Sequence, residues 1–254
     1  MQQTLKYGFL RATMKNVAYG IHILSNFGLE KLNKMATKKK TAEWSAQELL
    51  SQYTNYVLDN EKKPSTVYKF CKAIGIEETA FYQFFASLEA LESFFFESLH
   101  NHSIALLQAN AEYDSYTDAN KLLSYYFTFF EMATANRSYI LMSLKEDKNP
   151  MEGYQKLGAM RKEFLLFAND ILEKNYKLPG EQLQKIEAKL LQEGAWLQFL
   201  LTFKFWMKDT SPNFEKTDVL IEKSVKASFE ILEAFPVQSV IDLGKFLWKE
   251  RPFQ

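Results

Sequence analysis

Residues 65–91 have the sequence STVYKFCKAIGIEETAFYQFFASLEAL, and this stretch decides the fold. Thr66 can cap a first short helix, because apolar residues recur at helical spacing over 67–74. Gly75 stops that helix and permits the positive φ that a tight turn requires. A second short helix is predicted over 77–85. Two short helices joined by a glycine turn are typical of a helix-turn-helix.

The rest of the chain also has the periodicity of helices. Only nine Gly and six Pro occur in 254 residues, which disfavours a turn-rich β protein. The hydrophobic fraction of 47% and the charged fraction of 24% are those of a globular protein. The predicted helices are 45–59, a long one that opens at Leu88 and passes His102, 119–134, 137–145, 154–176, 181–207, 214–234 and roughly 237–249. The fold class is therefore predicted to be all-α.

The helix-turn-helix segment resembles the TetR family of bacterial repressors, whose anchor positions it matches without a gap. The matching residues are Thr66, Val67, Phe70, Cys71, Gly75, Ile76, Phe81, Tyr82, Phe85, Glu89 and Leu91. The resemblance implies a helix-turn-helix domain over 41–91 and a helical ligand-binding and dimerisation domain over 92–235. Residues 236–254 would form an additional amphipathic helix. Residues 1–40 are expected to be a basic extension that is either disordered or the result of a misassigned start, since the run from Met35 is typical of a natural start of a chain.

In the resembling family, the second short helix reads DNA. Carried over by position, the DNA-contacting residues would be Thr66, Glu78, Thr79, Ala80, Tyr82 and Gln83. Thr66 would present backbone N–H groups to a phosphate, and the phenol of Tyr82 would meet the DNA backbone. The sequence departs from the family pattern at Glu77 and Glu78, since small polar or basic residues are usual there.

The net charge of the chain is +0, but it is unevenly distributed. Residues 1–34 hold five basic residues and one acidic residue, a net charge of +4. Residues 36–99 hold seven basic and nine acidic residues, a net charge of −2. Affinity for duplex DNA depends largely on cations that neutralise phosphates, so an acidic helix-turn-helix weakens the expectation of DNA binding. Glu77 and Glu78 can still accept a hydrogen bond from cytosine N4.

The C-terminal part is rich in aromatic residues, which suits either a packed core or the walls of a site for a hydrophobic effector or lipid. The candidate ligand-binding residues are Phe127, Phe130, Met142, Phe164, Phe167, Trp196 and Phe199. Helices 181–207 and 214–234 lie where the family builds its homodimer. The resemblance thus implies a dimeric, cytoplasmic regulator that binds duplex DNA and responds to a hydrophobic small molecule.

The alternative is a lipid-binding accessory protein of the same fold that does not bind DNA. Segment 236–254 is basic and amphipathic and includes Trp248, so it could lie on a membrane surface. An acidic helix-turn-helix is also what such a protein would carry.

Catalysis, metals and cofactors find no support in the sequence. His100 and His102 lie two positions apart on a helix and point in different directions. The single cysteine, Cys71, occupies an apolar position of the helix-turn-helix. We therefore expect no catalytic residue, no metal site and no cofactor.

Overall fold

The computed structural model describes residues 44–145, 150–172 and 181–234. These residues form α-helices and two short 3-10 turns, without a strand among them. The helices are α1 (Ala46–Asn60), α2 (Val67–Ile74), α3 (Glu78–Tyr82), α4 (Leu88–Gln108), α5 (Asp118–Ala135), α6 (Arg137–Lys145), α7 (Pro150–Gln155), α8 (Gly158–Leu172), α9 (Glu181–Lys208) and α10 (Glu215–Ala234). The prediction of an all-α fold is confirmed.

Two predicted helices have different bounds in the structure. Helix α3 ends at Tyr82 rather than at residue 85, although the Phe85 N–H still donates to the Phe81 carbonyl at 3.0 Å. The predicted helix 154–176 is interrupted, because α7 ends at Gln155 and α8 begins at Gly158. Four other predictions lie outside the described residues. They are the last turn of the predicted helix 154–176, the break at 178–180, the extension 1–40 and the helix 237–249.

By compactness the chain divides into two units. The first holds the described residues up to Ser115 together with Ser124–Leu166, and the second holds Tyr116–Leu123 and the described residues from Phe167 onward. Helices α1, α2 and α3, called the head, belong to the first unit with α4, α6 and α7. The domain boundary predicted at residue 91 therefore stays a prediction.

The first unit is built around α1 and α5. Helix α1 packs against α2, α4 and α6, and it buries Leu49, Leu50, Tyr53 and Val57. Residues 124–130 of α5 are all buried, although Ser124 and Thr128 lie among them. A helix that is buried all round belongs to the interior of a domain.

In the second unit, α9 packs against α10. The Gln198 side chain connects them, because its amide donates to Ser224 Oγ at 3.1 Å and its carbonyl accepts from Ser228 Oγ at 3.2 Å. The predicted break at Ser211-Pro212 is present as a 3-10 turn at Pro212–Phe214.

The turn before α10 is held by the buried Asp209 carboxylate. Thr217 donates to it from its backbone N–H at 2.9 Å and from its hydroxyl at 2.7 Å. Ser211 does the same at 2.8 and 2.7 Å. Burial raises the pKa of Asp209, but these hydrogen bonds outweigh that effect and lower the pKa to about 2. The carboxylate thus satisfies N–H groups at the start of α10.

Candidate functional site

The helix-turn-helix of the head has the caps that its sequence predicts. Thr66 lies in extended conformation ahead of α2, and its Oγ1 accepts a hydrogen bond from the Lys69 N–H at 3.2 Å. Gly75 follows α2 with a φ of 74°, in the left-handed region. The Ile76 N–H closes the turn by donating to the Cys71 carbonyl at 3.0 Å. The turn therefore depends on a glycine, because an L side chain is strained at this φ.

Aromatic rings hold the three helices of the head together. Phe70 on α2 lies edge to face with Tyr53 on α1 at 5.4 Å between centroids and with Phe81 on α3 at 6.1 Å. Phe81 also contacts Phe85, at 5.9 Å. Cys71 is buried in the same core. These contacts fix the position of α3 relative to α2. The side of α3 that faces away from this core stays exposed to solvent.

The structure places most of the predicted DNA-contacting residues on the surface of the head. Thr66, Thr79, Tyr82 and Gln83 are exposed, whereas Glu78 and Ala80 are half-buried. The Tyr82 side chain is 53% exposed, and its hydroxyl donates to Glu78 Oε2 at 3.4 Å. Partial desolvation, followed by the charge and hydrogen bond of Glu78, raises the pKa of Tyr82. The phenol therefore stays protonated and able to donate.

Helix α2 adds exposed residues that sequence reasoning did not select. Tyr68 is 56% exposed, and Lys72 Nζ lies 5.9 Å from the centre of its ring. Lys69 is exposed on the same helix. The signal for Tyr68 was available, since it is the aromatic residue of 67–74 that falls outside the apolar face. The surface of α2 and α3 thus combines two lysines with the carboxylates of Glu77 and Glu78.

The aromatic core of the first unit surrounds one buried histidine. His100 Nδ1 lies 2.7 Å from the Tyr125 hydroxyl, and the ring centre of His100 is 6.5 Å from that of Phe164. Burial lowers the pKa of His100 to about 4, so the imidazole is neutral at pH 7. Burial likewise raises the pKa of Tyr125 well above its usual value. This pair is a neutral polar group inside an aromatic environment.

The candidate ligand-binding residues fall into two sets. Phe127, Phe130 and Phe164 are buried and Met142 is half-buried in the first unit, while Trp196 and Phe199 are buried and Phe167 is half-buried in the second. Within the second set, Trp196 and Phe199 stack with their centroids 5.4 Å apart. Their burial fits both interpretations of the sequence, core packing and effector binding, so their role stays a prediction.

Helix α9 carries a stripe of exposed apolar side chains. Leu190, Leu197, Leu201 and Phe205 are 68%, 57%, 59% and 40% exposed. At 3.6 residues per turn, they lie within about 80° of one another around the helix axis. Helix α10 also exposes two large apolar residues, Val219 and Ile231, at 48% and 63%. Contiguous exposed apolar residues of this kind mark an interaction surface.

The described residues also bear on metal binding and on membrane insertion. Over 44–145, 150–172 and 181–234, no group of three or more His, Cys, Asp or Glu side chains is arranged to hold a metal ion. In the same part of the chain, no helix has the length and apolar character needed to cross a bilayer.

Comparison with known protein families identifies the C-terminal part of the chain. The model of a family described as "Tetracyclin repressor-like, C-terminal domain" matches residues 121–247, half of the chain. No curated protein matches the sequence. The matched region begins within α5, so the interpretation of the head depends on its own motif and geometry.

Proposed function

Because the chain belongs to the tetracycline repressor-like (TetR) family, we propose that it is a transcriptional regulator that binds duplex DNA as a homodimer and responds to a hydrophobic small molecule. The observation that carries the proposal is the head itself. Its Gly75 turn holds α3 with Thr79, Tyr82 and Gln83 exposed. A short second helix presented in this way can enter a major groove.

The residues at the surface of the head have three proposed roles. The backbone N–H groups at the start of α2, next to Thr66, point toward a phosphate, and Tyr82 donates its phenol to the DNA backbone. Glu78, Thr79, Ala80 and Gln83 face the base edges, where a carboxylate suits cytosine and an amide suits adenine. Lys69 and Lys72 supply the positive charge.

The same surface limits how strongly DNA can be held by charge alone. With two exposed lysines per protomer on α2, a dimer would neutralise about four phosphates, which corresponds to a slope of log K against log salt of about −4. Glu77 and Glu78 oppose this attraction. Replacing both by glutamine should therefore raise affinity for non-specific DNA.

The apolar stripe of α9 supports a homodimer built from α9 and α10. Leu197 and Leu201 lie at its centre, and α10 also exposes Val219 and Ile231. Two copies of such a surface can pack across a two-fold axis. We expect Leu201→Glu to give monomers in analytical ultracentrifugation. Leu166→Glu, at a leucine of α8 that is also 57% exposed, is the matched control and should leave the dimer intact.

The aromatic residues of the C-terminal part support a hydrophobic effector. The candidate effector-binding residues form two sets, each taken by itself. Phe127, Phe130, Met142 and Phe164 belong to the first unit, and Phe167, Trp196 and Phe199 belong to the second. An effector that binds two conformations of the protein with different affinities would change the affinity for DNA. DNA would then change the affinity for the effector by the same coupling free energy. Lipid binding through 236–254 would rest on residues outside the described ranges, and we do not propose it.

The test of DNA binding uses the full chain and duplexes from the region upstream of its own gene. Fluorescence anisotropy should give specific binding that weakens between 50 and 200 mM salt, conditions under which a slope of about −4 is measurable. Gln83→Ala should reduce the preference for the specific duplex, whereas Gln108→Ala, at an exposed glutamine that ends α4, should not. Absence of any duplex binding at the lowest salt concentration would refute the proposed function.

A further inference from the structure

A buried carboxylate links the head to the helices that follow it. Glu92 lies on α4 and is 3% exposed. Its carboxylate accepts hydrogen bonds from the Tyr53 hydroxyl at 2.5 Å and from Lys63 Nζ at 3.3 Å. Lys156 Nζ lies 3.0 Å from the same carboxylate. One acidic side chain thus holds three donors from three separate segments of the chain.

The two ammonium groups share a second acceptor, the backbone carbonyl of Ser143. Lys63 Nζ donates to it at 3.1 Å and Lys156 Nζ at 2.7 Å. Ser143 lies in the last turn of α6, whose carbonyls have no partner within the helix. This end of a helix also carries a partial negative charge. The two lysines are therefore held between a carboxylate and the end of a helix, both of which attract positive charge.

These contacts connect the head to the remainder of the first unit at two points. Tyr53 belongs to α1, and Lys63 belongs to the connection between α1 and α2. Packing supports the connection, since the Tyr139 ring of α6 lies 6.5 Å from Tyr53 and 4.6 Å from Phe95 on α4. The head, α4, α6 and Lys156 all belong to the same compact unit.

We propose that Glu92 is a positioning residue that fixes the orientation of the head on α4 and α6. The head then moves together with α6 and with the segment between α7 and α8, rather than pivoting freely on α4. The proposal rests on the proposed function in one respect, because it takes α1–α3 as the part of the protein that contacts DNA.

The electrostatics predict which substitutions release the head. Glu92→Gln leaves the buried ammonium group of Lys156 and the half-buried one of Lys63 without their carboxylate, which is costly because buried charge needs a partner. Lys63→Met removes one of the two contacts between Glu92 and the head, and it leaves Tyr53 and Lys156 bound to Glu92. Lys63 is also the more exposed of the two lysines, so this variant keeps the core of the unit intact.

Hydrogen exchange of the full chain, followed by mass spectrometry, tests the proposal. In Glu92→Gln, amides of 46–82 should exchange on the order of a hundredfold faster than in the wild type, while those of 124–130 in α5 change much less. Lys63→Met should show the same selective effect, about tenfold, in 46–82. A purely structural role of the network would accelerate exchange in both regions by the same factor.

A stability control separates release of the head from general destabilisation. Val225→Ala removes a buried side chain of α10, in the second unit. It should lower the melting temperature without selective exchange in 46–82. Selective exchange in Val225→Ala, equal acceleration of 46–82 and 124–130 in Glu92→Gln, or no change in Lys63→Met would each overturn the assignment. The measurement needs no DNA, so its outcome is independent of the DNA-binding test.

Discussion

His100 should make the stability of this protein fall in a defined acidic window. The side chain is 2% exposed, and its pKa is lowered by burial from 6.5 to about 4. In the unfolded chain the same imidazole takes up a proton near its ordinary pKa. Between these two values the unfolded state binds more protons than the folded state, so lowering the pH favours unfolding.

The size of the effect follows from the two pKa values. Above pH 6.5 the imidazole is neutral in both states, and His100 causes no loss of stability. As the pH falls from about 6.5 to about 4, the loss approaches 1.4 kcal/mol per pH unit and totals about 3 kcal/mol. Between pH 7.5 and pH 4.5 the expected loss is about 2.5 kcal/mol. That is a large share of the stability of an ordinary domain.

Urea unfolding at half-unit steps from pH 7.5 to pH 4.5 measures this loss. His100→Asn keeps a hydrogen-bonding group beside Tyr125 but does not titrate. Its unfolding free energy should therefore fall by about 2.5 kcal/mol less than that of the wild type over the same range. His102→Asn replaces an exposed histidine of the same helix and should keep the wild-type profile. Parallel profiles for the wild type and His100→Asn would refute the reasoning.

Three further substitutions test the connections between helices, each by urea unfolding. Asp209→Asn should lower the unfolding free energy by about 2 kcal/mol at pH 7, because charge-assisted hydrogen bonds are lost. This difference in unfolding free energy between the wild type and Asp209→Asn should reach its full size above pH 3.8, the ordinary pKa of Asp, and should disappear as the pH falls through about 2. A difference that is undiminished at pH 2 would contradict the role of the ionised carboxylate. Gly75→Ala should cost about 1–2 kcal/mol at a φ of 74°, whereas Gly158→Ala, in a helix, should cost nothing. Thr66→Ala should cost about 1 kcal/mol through loss of the α2 cap, and an unchanged midpoint would contradict that role.

Local signals in the sequence were sufficient to predict the head. The cap at Thr66, the positive φ at Gly75 and the start of α4 at Leu88 all depend on residues within a few positions of one another. The break between α7 and α8 was missed, because apolar residues continue at helical spacing through Leu157. Periodicity reports which side of a helix is buried, but it does not report one interrupted turn.

The network around Glu92 could not be predicted from the sequence. In the sequence, Glu92, Lys63 and Lys156 are ordinary charged residues, and charged residues are usually exposed. Their burial depends on three distant segments meeting at the end of α6. The same limitation applies to His100, whose altered pKa follows from the rings of α5 and α8 rather than from its neighbours on α4.

The acidic character of the head bears on the specificity of the proposed regulator. Non-specific affinity comes almost entirely from phosphate neutralisation, and the exposed surface of α2 and α3 offers Lys69 and Lys72 against Glu77 and Glu78. Lys63 cannot add to this attraction, because its ammonium group is held by Glu92 and Ser143. Repulsion from Glu77 and Glu78 acts on every duplex, whereas a hydrogen bond from cytosine N4 to Glu78 is available only at a matching site. An acidic head therefore lowers non-specific binding more than binding to a matching operator, and the ratio between the two rises.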